Sequence, residues 1–300
     1  MSKKTLAYIA NIVQVAVVAL SIIFVKIVLE MTNPVDQLTY RFFLAFITVV
    51  VVNIFSKKKL KITKEMAKDL GILSIFFPVL FLLLQGLGLN YSTATETAII
   101  QSLAPIFAII LSQIMLKEKT TTFQKFMILL SVAGIVYMTY MGSKSSVSFH
   151  LKGTILLLLS SVALAFNLVL PRAFRDKYTP YEITSVIIIF GFFAFAIQSL
   201  IYHLVIKEPF DFALMFQPKF FASMFYLGVL SIYMTSYFNN YALKYLEVSK
   251  MSVFTNLCPI ISLIGAVVIL KESVYYYHIV GIAITLIGII GTNINFKTKK

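Results

Sequence analysis

LNYSTATETAIIQSLAPIFAIILSQIMLKEK, residues 89–119, and LKYLEVSKMSVFTNLCPIISLIGAVVILKES, residues 243–273, carry one pattern in one register, 154 positions apart. Leu89, Tyr91, Leu103, Pro105, Ile106, Ile110, Leu116, Lys117 and Glu118 recur as Leu243, Tyr245, Leu257, Pro259, Ile260, Ile264, Leu270, Lys271 and Glu272. Further on, Ile128, Gly134 and Ile135 recur as Ile282, Gly288 and Ile289. Leucine and isoleucine coincidences are common in apolar helices; the tyrosine, proline, lysine–glutamate and glycine matches are not. Nearer the start of each half the offset falls to 146, where Lys26 pairs with Arg172, Pro34 with Pro180 and Asp36 with Glu182. A longer segment near 207–218 accounts for the difference. The chain is an internal duplication.

The duplicated unit is not soluble. Apolar residues make up 59% of the 300 and charged residues 13%, with a mean hydropathy of +0.91. Soluble domains run at about 45–50% and about 25%. Too few charges remain to cover a soluble surface, and a disordered chain needs the opposite balance. A spanning helix needs about 20 mostly apolar residues. Ten such stretches are expected at roughly 6–29, 34–55, 70–90, 95–116, 123–141, 153–172, 181–206, 219–242, 248–270 and 275–295. The first is too long for the apolar core of a cleaved signal peptide and ends at Lys26–Glu30 without a small-residue cleavage site. The single cysteine, Cys258, excludes an intramolecular disulfide and reads as apolar filling in the ninth span.

The predicted fold is therefore all-α and integral to a membrane, with ten transmembrane helices in two five-helix repeats. Five is odd, so the second repeat enters the bilayer from the opposite side. Inverted repeats of this kind build secondary transporters, although a duplicated scaffold without transport would show the same pattern. The net charge of +14 also gains a meaning. With the N-terminus in the cytoplasm, 19 of the 26 basic residues fall on the cytoplasmic side, the cluster at 57–68 foremost. The positive-inside rule then places both termini in the cytoplasm of a multi-pass plasma-membrane protein, and the excess charge attracts anionic lipid headgroups.

The ten spans, the five-plus-five duplication, and the Pro105…Lys117-Glu118…Gly134 pattern repeated as Pro259…Lys271-Glu272…Gly288 resemble the EamA family of the drug/metabolite transporter superfamily. Arg41, following Pro34 in the second span, is also similar to the family's pattern. The resemblance covers essentially the whole chain. It implies EamA-type repeats over residues 1–142 and 152–296, a cavity between them, and transport of small metabolites, often export of amino acids or related compounds. The chain departs in having no tryptophan, so an aromatic cage for a quaternary amine would have to use tyrosine or phenylalanine.

Residue chemistry suggests where a substrate would sit. Pro105 and Pro259 fall near the middle of the fourth and ninth spans. Proline removes a helix hydrogen bond and frees the carbonyl four residues earlier. Those carbonyls belong to Gln101 and Thr255, beside Ser102 and Asn256. Paired interruptions point to a transporter's binding site, and a plain packing kink is the alternative. Further polar residues at mid-span depth are Asn11, Gln14, Ser21, Gln85, Asn167 and Asn239. Gln85 pairs with Asn239 and Ser21 with Asn167 across the repeat. Each amide could bind ligand or simply join helices. Tyr233, Tyr237 and Tyr241 share one face of the eighth span; the first two are deep enough to meet a flat or cationic substrate, or to pack.

Charges inside spans mark function by default. Arg41, Glu96 and Lys250, the last two at equivalent repeat positions, are candidates for coupling or gating. Glu96 is the expected proton-coupling acid, and Arg41 could pair with Glu96 or Glu30. Snorkelling or structural pairing is the alternative for all three. Lys117-Glu118 and Lys271-Glu272 are helix-end charges or gate elements. No nucleotide motif, catalytic set or metal cluster is evident: His150, His203 and His278 sit near helix ends without clustering with acids or Cys258. No cofactor, metal or nucleic acid is expected. The functional expectation is an exporter of an amino acid or related metabolite, working by alternating access with the small-molecule substrate and the bilayer as its partners. Proton coupling is one energy source, and oligomeric state is left open. An importer of a choline-like amine or nucleobase, a multidrug exporter and a membrane scaffold are the rivals.

Overall fold

The computed structural model describes residues 2–56, 59–116, 121–144, 151–170, 174, 177–246, 254 and 257–293. These form α1 (Lys3–Leu29), α2 (Pro34–Phe55), α3 (Lys64–Leu89), α4 (Ala94–Gln101 continued by Ala104–Leu116), α5 (Thr122–Lys144), α6 (Leu151–Val169), α7 (Pro180–Ile206), α8 (Pro218–Tyr245), α9 (Cys258–Leu270) and α10 (Tyr276–Asn293). Five of them, α1, α2, α3, α7 and α8, are long and apolar enough to cross a bilayer. The chain is an all-α membrane protein of two five-helix repeats.

Polarity runs opposite to that of a soluble protein. Asn11, Gln37, Ser160, Ser161 and Ser262 are fully buried, while Leu204, Val205, Val268 and Ile114 stand outward, each about 70% exposed. Hydrocarbon offers no partner to a polar group, so polar side chains turn inward, and the three serines bond between helices. Ser262 donates to the Ala19 carbonyl at 2.8 Å, Ser160 to Phe81 at 3.0 Å and Ser161 to Ile100 at 3.1 Å.

Helix starts repeat with the sequence. Asn33 caps α2, accepting from the Val35 and Asp36 amides, with Pro34 in the first turn. At the equivalent place Thr179 caps α7, with Pro180 in the first turn and Glu182 closing a capping box. Proline suits this position because its missing N–H would have no helix partner there.

Helix packing repeats as well. α1 lies on α8 and α9, and its counterpart α6 lies on α3 and α4; α2 meets α7, and α5 meets α10. The α5–α10 contact lies on the pseudo-two-fold axis, because equivalent residues meet one another there. Ser131 donates to the Thr285 carbonyl and Thr285 to the Ser131 carbonyl, both at 3.4 Å. Gly134 faces Gly281 and Thr285, and Gly288 faces Met127 and Ser131. A Cβ at Gly134 would lie 2.9 Å from the Gly281 carbonyl oxygen, and one at Gly288 would lie 2.6 Å from that of Met127. Small residues let membrane helices approach this closely.

One end of the bundle carries the turns near 30–33, 90–93 and 271–275 and the segment 207–217. It is tightly closed. Lys26 Nζ donates to the Leu89 and Ser92 carbonyls at the end of α3. The Glu272 carboxylate accepts from the Ala94 amide (2.9 Å), the Thr95 amide (3.3 Å) and the Thr95 hydroxyl (2.9 Å), so the second repeat caps a helix of the first. Lys271 takes a left-handed φ of 55° to turn the chain there. Below this clasp Val25, Val28, Leu89, Ala94, Phe220, Met224 and Leu227 form a solid apolar plug. A bond from the Tyr40 hydroxyl to the Asp211 carbonyl ties the 207–217 segment down.

At the opposite end Lys177 joins the start of α3, 2.6 Å from both Asp69 and Glu65. These carboxylates, Asp69 foremost, push the Lys177 ammonium above its usual pKa.

Two substitutions probe this frame. Gly134→Leu forces α5 from α10 and is expected to destabilise by about 1–3 kcal/mol, the cost of overpacking, with Gly288→Leu close behind. Glu272→Ala removes the carboxylate that the second repeat supplies to the start of α4, leaving the Thr93 cap, and should cost about 0.5–2 kcal/mol. Thermal unfolding of the purified protein in detergent reads both.

Candidate binding cavity

Among the described residues three helices lose regularity at mid-depth, and two of them, α3 and α8, are repeat partners. α3 contains a π-helical stretch at Ile75–Leu80 with Phe77 extended (φ −135°, ψ 119°) before Pro78. α8 contains one at Tyr226–Met234, so the two overlap under the 154-residue offset. α4 breaks at Ser102–Leu103, just ahead of Pro105, and α9 begins at Cys258 with Pro259 in its first turn. π-helical turns and proline breaks widen the backbone and recur at functional sites.

Between these helices and α1, α2, α6 and α7 lies a cavity of about 200 Å³. Its polar wall is Gln14, Ser21, Arg41, Gln85, Gln101, Asn167, Ser231, Thr235, Ser236, Asn239 and Asn240; Val15, Phe77, Phe81, Leu82, Leu164 and Ile187 are among its apolar members. Both repeat pairs, Gln85 with Asn239 and Ser21 with Asn167, are present. Gln85 donates to Gln101 Oε1 at 2.9 Å. Gln14 donates to Asn11 at 2.9 Å and to Asn239 at 3.4 Å. Asn240 donates to Thr184 at 3.0 Å, joining α8 to α7. The Gln101 amide nitrogen is buried with no partner among the described residues.

Arg41 is the charged side chain of this wall, and it is only 3% exposed. Its Nε donates to the Leu227 carbonyl (3.2 Å) and its Nη2 to Ser231 Oγ (2.9 Å). Gly228 makes this possible: a Cβ there would come within 2.6 Å of the Arg41 carbonyl oxygen, so α2 and α8 touch backbone to backbone.

The expected pairing of Arg41 with Glu96 or Glu30 is not formed. Glu96 instead closes the capping box of α4, accepting from the Ser92 hydroxyl (2.7 Å) and the Thr93 amide (3.2 Å), and Glu30 is exposed at the end of α1. Ser102 bonds back to the Ile99 carbonyl and does not reach the cavity. Tyr233 and Tyr237 also lie off the wall. The cavity face of α8 is the adjacent stripes 231/235/239 and 232/236/240, and the tyrosine stripe is turned one residue further round. Tyr233 packs against the cluster around Phe42 and Phe195. Thr255, Asn256, Lys250, Lys117 and Glu118 lie outside the described residues.

Two features escape sequence reasoning. Ser231, Thr235, Ser236 and Asn240 join the wall, and their spacing of four was the available signal. His203 does cluster with an acid, correcting the expectation: its Nε2 lies 2.9 Å from Asp36 Oδ1, which also accepts from Ser199 at 2.9 Å. The partners are 167 residues apart, and only the crossing of α2 and α7 brings them together. Among the described residues no group of three potential metal ligands occurs.

The sequence profile of the EamA-like transporter family matches residues 5–140 and again residues 151–294. The uncharacterized transporter YcxC of Bacillus subtilis is 36% identical over 298 residues, covering 99% of this chain and 96% of its own. An uncharacterized transporter of Archaeoglobus fulgidus is 27% identical over 271 residues, 88% of this chain and 90% of its own. A solved crystal structure shares the fold, with a TM-score of 0.66 at 14% identity, over 96% of this chain and 97% of that one. Two successive matches to one profile, over nearly the whole length, identify the chain as a member of the EamA-like transporter family.

Proposed function

We propose that this transporter exports a small organic metabolite, an amino acid or a related compound, by alternating access around the cavity. The observation that carries the reading is a polar cavity between pseudo-symmetric halves in a bundle whose outer surface is apolar. Repeat-matched side chains on both sides allow the halves to exchange roles when they rock. The volume of about 200 Å³ lies below the roughly 300–1,000 Å³ of drug-sized sites, which favours a small metabolite over multidrug export. The basic-residue bias supports a plasma-membrane orientation with both termini cytoplasmic, which puts the clasped end outside. A proton or solute gradient supplies the energy.

Counterflow in proteoliposomes, with a panel of amino acids and related metabolites, tests the reading; a protein that exchanges no member of the panel is not such an exporter. Gln85→Ala and Asn239→Ala each remove about one hydrogen bond from the wall. Each is expected to weaken half-saturation for the transported solute by about five-fold, the equivalent of roughly 1 kcal/mol. Glu96→Gln addresses coupling. Loss of pH-driven uptake with exchange retained assigns Glu96 to the proton path, whereas unchanged pH-driven uptake leaves it a helix cap.

A further inference from the structure

We propose that the cavity takes a small monocarboxylate, held through its carboxylate by Arg41. The inference rests on the transport reading above and names the chemistry of its substrate. A guanidinium carries five N–H donors and stays charged at physiological pH. Two of these donors are used, one by the Leu227 carbonyl and one by Ser231 Oγ, both neutral. The remaining three have no acceptor among the described residues, and the guanidinium is in no ion pair with a described carboxylate. Buried charges are ordinarily paired, because desolvation without a counter-charge is costly. Among the described residues the cavity wall holds no aspartate or glutamate. The natural counter-charge is therefore a ligand anion.

The wall also limits which anion. Arg41 is one charge, with no lysine or histidine beside it among the described residues. A carboxylate matches one charge, and its two oxygens fit the planar guanidinium fork. A phosphate monoester would bring about a second negative charge with nothing to meet it. A purely cationic amine would face Arg41 itself across a small, poorly screened space. The rest of the solute has two kinds of surface available: amides at Gln14, Gln101 and Asn239, and an apolar side at Phe77 and Phe81. The fork is held in place from behind, because Nε and Nη2 are already fixed by α8 at the Gly228 contact.

The test uses purified full-length protein and a matched panel: the protein amino acids, each beside its carboxamide and its decarboxylated amine, and their 2-oxo acids, each beside its carboxamide. Thermal stabilisation by ligand reads binding, and counterflow reads transport. The expected result is that the stabilising members all carry a carboxylate, and that their carboxamides and amines are silent. Arg41→Gln should weaken the best carboxylate by at least about 30-fold, the usual effect of removing one partner of a buried charge pair. Arg41→Lys, which keeps the charge but not the fork, should fall between. The ligand series on unmodified protein stands even if Arg41→Gln fails to fold. Carboxylate binding that persists within about three-fold in a folded Arg41→Gln protein overturns the assignment. Equal stabilisation by carboxamides, or by no carboxylate at all, overturns it too. Counterflow of neutral or cationic members in that event leaves the transport reading standing, and absence of all counterflow overturns both.

Discussion

In hydrocarbon a backbone carbonyl that loses its helix partner has no water to turn to. That constraint governs this chain. Irregular backbone is therefore costly where a helix faces lipid and better tolerated where it lines a cavity. Among the described residues it occurs at mid-depth in α3, α4 and α8, and the cavity lies beside all three. The π-helical turn of α8 brings the Leu227 carbonyl to Arg41, and the polar atoms of Gln85 and Gln101 meet beside the break in α4. The site thus lies beside interrupted helices, held in register by a duplicated frame.

Much of this was legible in the residues. Ten apolar stretches, the repeat at 154 positions and the paired prolines all lie on the surface of the sequence, because each depends on near neighbours along the chain. Six of the eight polar side chains expected at mid-depth that are described, Gln14, Ser21, Gln85, Gln101, Asn167 and Asn239, do line the cavity, while Asn11 and Ser102 bond to their own helices or neighbours. The π-helical turn of α8 left no such trace. No proline marks Tyr226–Met234, the stretch that packs on α1 and α2. Partners distant in sequence were also hidden. Glu272 reaches Ala94, and His203 reaches Asp36, only after the helices have packed. Tyrosine spacing misled for a related reason. It identified a stripe on α8 but not which stripe would face inward, since that depends on where α2 docks.

The clasped end shows how little charge the fold spends on closure. Lys26 neutralises carbonyls at the end of α3, and Glu272 satisfies amides at the start of α4. Each charge meets the end of a helix dipole of opposite sign. The two ends belong to consecutive helices, so one turn of chain, residues 90–93, is gripped from both sides. Parting this end would require both grips to let go, one from the same repeat and one from the other.

The meeting of Ser131 with Thr285, and of Gly134 and Gly288 with each other's surroundings, has a further consequence. On a two-fold axis a residue's neighbour is its own counterpart, as in the isologous interface of a symmetric dimer. Such a surface must be complementary to itself, so drift in one half is answerable at once to the other. Away from the axis the halves are under no such obligation, and there Ser21 could become Asn167 and Gln85 could become Asn239. The seam therefore has the self-complementary form of a symmetric dimer interface, while the cavity lining departs from symmetry residue by residue.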